Sequence, residues 1–200
     1  VLLSTTANAQ PNQESEMEAR AALERFLEAW NTADNSAIQK TVNYPHITHA
    51  PIGLIVANAP RQFITDFEEM KQQGWARSTF DKITPGQSSD RKVNFKVEYS
   101  RLNAVGEVIS SGYVFYVVTN DEGHWGMQYR APGQLSPESD EAVLIDARLA
   151  AIALVDEFFV AFNAADNAAL LKVSHVPQVM LSAGQFIFAE TSASPIVTMN

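Results

Sequence analysis

The residues best suited to chemistry in this chain are two histidines three positions apart, His46 and His49. Imidazole ordinarily titrates close to neutral pH, so either ring is a candidate catalytic acid or base. Side chains alternate along a strand, so this spacing sends the two rings to opposite faces unless Pro51 or Gly53 bends the chain. One of them at most then faces a pocket, and the competing reading for each is a hydrogen-bonded structural histidine. Trp30, Tyr44, Trp75, Tyr113 and Trp125 either line a cavity for an apolar ligand or fill a core. Gln128 and Arg130 alternate with the apolar residues of a late strand. They face solvent or a dimer partner, or supply the few polar anchors that a mostly apolar pocket needs.

Other chemistries find no support. With no cysteine there is no disulfide, thiolate metal site or cysteine nucleophile. His46, His49 and Asp66 do not have a zinc spacing, and no metal is expected. Gly-x-Ser-x-Gly, Gly-x-Gly-x-x-Gly and P-loop patterns are absent, so no nucleotide or other cofactor is expected. A net charge of −9 with only 14 dispersed Lys and Arg argues against nucleic acid and anionic membrane surfaces. No apolar run approaches the ~18 residues of a membrane span.

The elements that must position these residues are organised by a repeat. Asn31-Thr32-Ala33-Asp34-Asn35-Ser36-Ala37 returns 132 residues later as Asn163-Ala164-Ala165-Asp166-Asn167-Ala168-Ala169. Phe26 then falls on Phe158, Ala29 on Ala161, Lys40 on Lys172 and Pro45 on Pro177. Solenoid repeats run roughly 20–50 residues, so this spacing is domain-sized. We read a domain over 16–132, a polar, acidic linker over 133–142 and a truncated second copy over 143–200. Residues 1–9 read as the remnant of a signal peptide, with Ala7 and Ala9 in the small-residue positions before cleavage, and 10–15 as a tail. That pattern predicts a periplasmic or secreted protein whose mature chain begins at Gln10.

Within the first copy, Ser15 and Glu18 have capping-box spacing, and Leu23, Phe26, Leu27 and Trp30 form one apolar stripe, predicting a helix over 15–31. Asp34 caps a short second helix running to about Val42. Two short strands are expected over 44–57. A third helix, capped by Asn58 with Pro60 in its first turn, runs to Gly74, with Asp66, Glu68 and Glu69 on its wet face. The period then changes to two, and strands are expected over 75–83, about 93–100, 107–119 and 124–130, the second with Val93, Phe95, Val97 and Tyr99 on its buried face.

This order of elements resembles the nuclear transport factor 2-like (NTF2-like) superfamily, which includes SnoaL-like polyketide cyclases and ketosteroid isomerases. The resemblance is carried by Phe26-Leu27-Glu28-Ala29-Trp30-Asn31-Thr32-Ala33-Asp34, Asn43-Tyr44-Pro45-His46-Ile47, Lys92-Val93-Asn94-Phe95 and Gly123-His124-Trp125-Gly126-Met127-Gln128. It implies an α+β cone, three helices packed on a curved antiparallel sheet, with a mostly apolar interior pocket and, in many members, dimerisation through the sheet. The isomerases place an oxyanion-donor tyrosine and a general-base aspartate at columns that here hold Phe26 and Ala50, and in the second copy Phe158 and Ser182. Isomerisation by that route is not expected.

The resulting expectation is an exported, SnoaL-like pocket protein that holds a small apolar molecule, with acid–base chemistry of isomerase, cyclase or hydrolase type at His46 or His49. His46 is preferred because superfamily pockets collect polar groups where the chain enters this strand pair. Tyr44, Trp30, Trp75, Tyr113, Gln128 and Arg130 are the expected ligand contacts. The alternative is a non-catalytic association module, a homodimer through the sheet.

Overall fold

The computed structural model describes residues 13–134, 141–182 and 185–189, in two units that divide between Gln134 and Leu135. The expected signal-peptide remnant, the first part of the tail, most of the linker and the chain from 190 onward lie outside the described residues.

Helix α1 (Gln13–Asn31) begins two residues before Ser15, which is buried in its first turn and is not the cap. The expected tail therefore ends inside the helix. The apolar stripe packs as its spacing requires. Ala19, Ala22, Leu23 and Phe26 are buried against Val93, Phe95, Val97, Val114, Tyr116 and Val118 of the sheet. Burial of a large apolar side chain contributes about 1.5–3 kcal/mol, which makes this face a main support of the helix. At its end Ala33 takes a φ of 55°, and Asp34 accepts from the Ser36 N–H at 2.8 Å to start α2 (Asn35–Gln39).

Strands β1 (Val42–Ala50) and β2 (Gly53–Ala57) form the expected hairpin. The third helix is not continuous. A 3-10 turn at Pro60–Gln62 is followed by a separate α3 (Phe67–Gln72). The reason lies at Thr65, whose backbone N–H and C=O are both bonded by the Asn35 side chain, at 2.8 and 3.0 Å, outside any helical pattern. Asp66, expected on a wet face, instead caps α3 by accepting from the Glu69 N–H at 2.9 Å. Gly74, at a φ of 90°, closes the helix, with Trp75 N–H reaching back to the Met70 carbonyl.

Four long strands follow, β3 (Arg77–Ser88), β4 (Lys92–Leu102), β5 (Val108–Asp121) and β6 (His124–Gln134). Val93, Phe95, Val97 and Tyr99 are buried on one face of β4, as expected. The six strands form a single sheet in the order β2-β1-β6-β5-β4-β3. It is mixed, not purely antiparallel, because β1 runs parallel to β6.

Asn43 secures that junction. Its amide donates to the Thr119 carbonyl and hydroxyl at 2.8 and 2.9 Å, while its carbonyl oxygen lies 2.7 Å from His124 Nδ1. A Cβ at Gly126 would stand 2.8 Å from that oxygen, so this position has no room for a side chain. Asn43, His124 and Gly126, prominent in the sequence resemblance, are thus architectural. The Tyr44–Pro45 and Val176–Pro177 peptide bonds are cis.

The second unit holds α4 (Glu141–Asn163), α5 (Asn167–Lys172) and a hairpin of β7 (Gln178–Ser182) and β8 (Gln185–Ala189). Asp166 caps α5 by accepting from Ala169 N–H at 3.0 Å, and Ala165 has a φ of 53°. The hairpin pairs Gln178 with Ala189 and Ser182 with Gln185. In the first unit His46 pairs with Ala57 and Ala50 with Gly53, the same register at the offset of 132.

Candidate functional site

A cavity of about 290 Å³ opens between α1, α3 and the inner face of the sheet. Phe26, Leu27 and Trp30 of α1 form one wall, and Phe80, Tyr99, Val114 and Tyr116 of the strands form the other. Asp66, Glu69 and Met70 border it from the α3 side, and Arg101, Arg130 and Pro132 complete it. The lining combines aromatic and aliphatic side chains with polar groups that include Thr65 and Ser78, as small-ligand pockets do.

The wall is built by register. Tyr116 pairs across the sheet with Phe95 on one side and with Arg130 on the other. Tyr99 pairs with Gly112, and the missing side chain there is what admits the phenol. A Cβ on Gly112 would lie 3.0 Å from the Tyr99 hydroxyl and 2.5 Å from the Gly133 carbonyl oxygen. Phe80 and Phe26 both meet the Tyr116 ring, at 6.0 and 6.1 Å between centroids.

Arg130 reaches this face through a bulge. Val117 pairs with Tyr129 and Val118 with Met127, so Gln128 is the extra residue, and the alternation of β6 changes phase there. Trp125 and Met127 face inward before it and Arg130 after it, while Tyr129 goes to the outer face beside Phe115. The simple alternation grouped Tyr129 with the core and Gln128 with Arg130. The bulge separates both pairs. Gln128 instead accepts a hydrogen bond from the Thr119 hydroxyl at 2.9 Å.

The Arg130 guanidinium lies over the rings of Trp30 and Phe63, at 5.5 and 5.2 Å, and its Nε donates to the Thr48 hydroxyl at 3.0 Å. Burial lowers its pKa from the ordinary value, Tyr116 works against that shift, and Arg101 adds to it. Burial pushes the Tyr116 phenol up to about 12, with Arg130 opposing, so it stays protonated and able to donate. Among the described residues, no side chain hydrogen-bonds the Tyr116 hydroxyl and no carboxylate forms an ion pair with Arg130 or Arg101.

His46 does not line this cavity. Its ring is 1% exposed, packs edge-on against Phe63 at 4.5 Å, and has Nδ1 3.0 Å from the Met127 carbonyl oxygen. A carbonyl only accepts, so the proton sits on Nδ1, and Nε2 is buried with no hydrogen-bonding partner. Burial first, then Arg130, lowers the pKa to about 3, with the Met127 bond opposing. A ring held neutral in this way lacks the near-neutral titration expected of a catalytic acid or base. His49 is on the other face of β1, exposed, with Nδ1 3.4 Å from the Tyr129 hydroxyl.

The remaining expected contacts are divided by the fold. Trp30 and Arg130 line the cavity together. Tyr44 is half-buried, packs on the core and donates to the Gln39 carbonyl at 3.2 Å; burial raises its pKa. Trp75 is buried beside Phe67, bonded to the Ser78 hydroxyl, and borders a separate hollow of about 150 Å³ with Arg101. Tyr113 sits under the Lys96 ammonium at 4.5 Å, on the strand face opposite Val114 and Tyr116. Tyr116, Tyr99 and Arg101 were not singled out as site residues from the sequence. Their place in an alternating strand is legible, but which alternating face encloses a cavity is not. Among the described residues no three His, Asp or Glu side chains converge as a metal site would require.

No protein-family model and no curated protein matches the chain. Solved structures do. A protein of unknown function with a cystatin-like fold from Nostoc punctiforme is 14% identical, with a TM-score of 0.53 over 64% of this chain and 96% of that one. An NTF2-like protein with a cystatin-like fold from Novosphingobium aromaticivorans is 10% identical, with a TM-score of 0.52 over 64% and 86%. A protein of unknown function from Mycobacterium tuberculosis is 14% identical, with a TM-score of 0.52 over 65% and 77%. The chain has the NTF2-like fold, an N-terminal helix against a curved, mixed sheet of six strands. At these identities the likeness is one of fold.

Proposed function

We propose that the first unit is a binding protein for a small, largely apolar molecule, held in the cavity between α1 and the sheet. The observation that carries this reading is an aromatic-lined hollow of about 290 Å³ that the protein's own side chains leave unfilled. Genuine voids are few in close-packed interiors, and a pocket kept open forgoes packing that a core would otherwise gain. The polar groups on its wall, Arg130, Arg101 and Tyr116, are hydrogen-bond donors suited to orienting a ligand. Acid–base catalysis at His46 is not part of the proposal, because that ring is neutral and outside the lining.

The test is binding of a neutral two-ring probe, 2-naphthamide, followed by calorimetry and by quenching of Trp30 emission. Binding in the wild type, lost in Val114→Phe with folding retained, is the expected result. A wild type that binds no probe, or a variant that binds as well, would overturn the reading.

The second unit is, in the same proposal, an incomplete repeat of the first. The shared hairpin register, the two aspartate caps and the left-handed Ala33 and Ala165 support it.

A further inference from the structure

We infer that the pocket selects a ring-containing carboxylic acid, with Arg130 as the residue that receives the carboxylate. This rests on the pocket reading above and specifies its ligand.

Arg130 carries a full charge into an aromatic wall. One donor, Nε, is used by Thr48, and among the described residues no carboxylate pairs with the remaining N–H groups. Arg130 is part-buried, and a partly desolvated charge without a counterion favours an opposite charge with matched hydrogen bonds. The protein does not provide one. Asp66 and Glu69 also border the cavity, but both are exposed, Asp66 is engaged in capping α3, and neither forms an ion pair with Arg130 or Arg101.

Two further groups favour an anion at the same end. Arg101 lines the cavity as a second cation, and the Tyr116 phenol, paired across the sheet with Arg130, is a protonated donor with no protein acceptor among the described residues. A guanidinium fork matches a planar carboxylate bidentately. Phe26, Leu27, Trp30, Phe80, Val114 and Pro132 form an apolar part of the lining, which suits a hydrocarbon ring as the ligand's body. The chain's net charge of −9 does not oppose this, because surface charges beyond ~8 Å are largely screened at physiological ionic strength.

The experiment compares 2-naphthoate with its neutral isostere 2-naphthamide by calorimetry on the full chain. The naphthoate is expected to bind at least tenfold more tightly to the wild type, and Arg130→Gln to bring the two probes to within about twofold of each other. Equal affinity of the two probes for the wild type would overturn the carboxylate assignment and leave the apolar pocket intact. Failure of both to bind would remove the pocket reading itself. Should Arg130→Gln not fold, the wild type still decides by NMR. The Arg130 Nε–H resonance should shift with naphthoate and not with the amide, and an unmoved resonance would overturn the assignment.

Discussion

At the scale of single residues, His46 shows how environment overrides chemical type. Its sequence position suggested a titrating group, yet enclosure by Phe63, the Met127 carbonyl and the nearby Arg130 disfavours the charged ring. The folded pKa of about 3 lies below the ordinary 6.5, so the unfolded chain binds more protons between those values. His46 therefore contributes stability that is fully present above about pH 6.5 and is lost as the pH falls toward 3, at up to about 1.4 kcal/mol per pH unit. Denaturant unfolding of the wild type and His46→Gln at several pH values should show their stability difference shrinking across this window. A difference independent of pH would contradict the burial argument. Arg130 is the complementary case. No local pattern distinguishes it from a solvent-facing arginine, and only the Gln128 bulge turns it inward.

At the scale of elements, capping is the most transferable local rule in this chain. Asp34 follows a helix end and precedes an apolar turn, and the structure puts its carboxylate on Ser36 N–H. Asn caps about as well as Asp, so Asp34→Asn should be nearly neutral while Asp34→Ala should cost ~0.5–2 kcal/mol in thermal or denaturant unfolding. Equal losses in both would argue against a capping role. The same rule fails to locate the start of α3 from sequence, because Asn58 and Asp66 are both acceptable caps. The choice is made by Asn35, a residue 30 positions away that engages the Thr65 backbone. Sheet strands behave likewise. The alternation of β4 is legible residue by residue, whereas the phase change in β6 depends on how β5 pairs with it.

At the scale of the whole molecule, the chain divides into two units with unequal means of support. The first unit buries α1 on its own sheet, with Leu23 fully buried and Phe26 nearly so. The described second unit has two helices and a two-stranded hairpin, and its α4 carries Leu149, Ile152 and Phe159 at 60%, 59% and 54% exposure. A two-stranded hairpin is at best marginal alone, and such a face exposes much apolar surface. A polypeptide of residues 10–136 should therefore unfold cooperatively, with near-UV dichroism of a packed core. One of residues 141–200 alone should be molten, self-associating or unfolded. A cooperative, monomeric 141–200 would refute this account, as would a molten 10–136.

From sequence alone came the helix stripe of Leu23, Phe26, Leu27 and Trp30, the alternation of Val93 to Tyr99, and the Asp34 and Asp166 caps. All of these follow from periodicity and from hydrogen bonds between near neighbours, which a linear string records directly. The parallel pairing of β1 with β6, the break before α3, the bulge that turns Arg130 inward and the burial that silences His46 were settled only by tertiary structure. Each depends on groups distant along the chain, His46 on Met127 and Arg130 on Thr48, Trp30 and Phe63. Desolvation and cross-strand register arise only when those groups meet in space, so they leave no local trace in the order of residues.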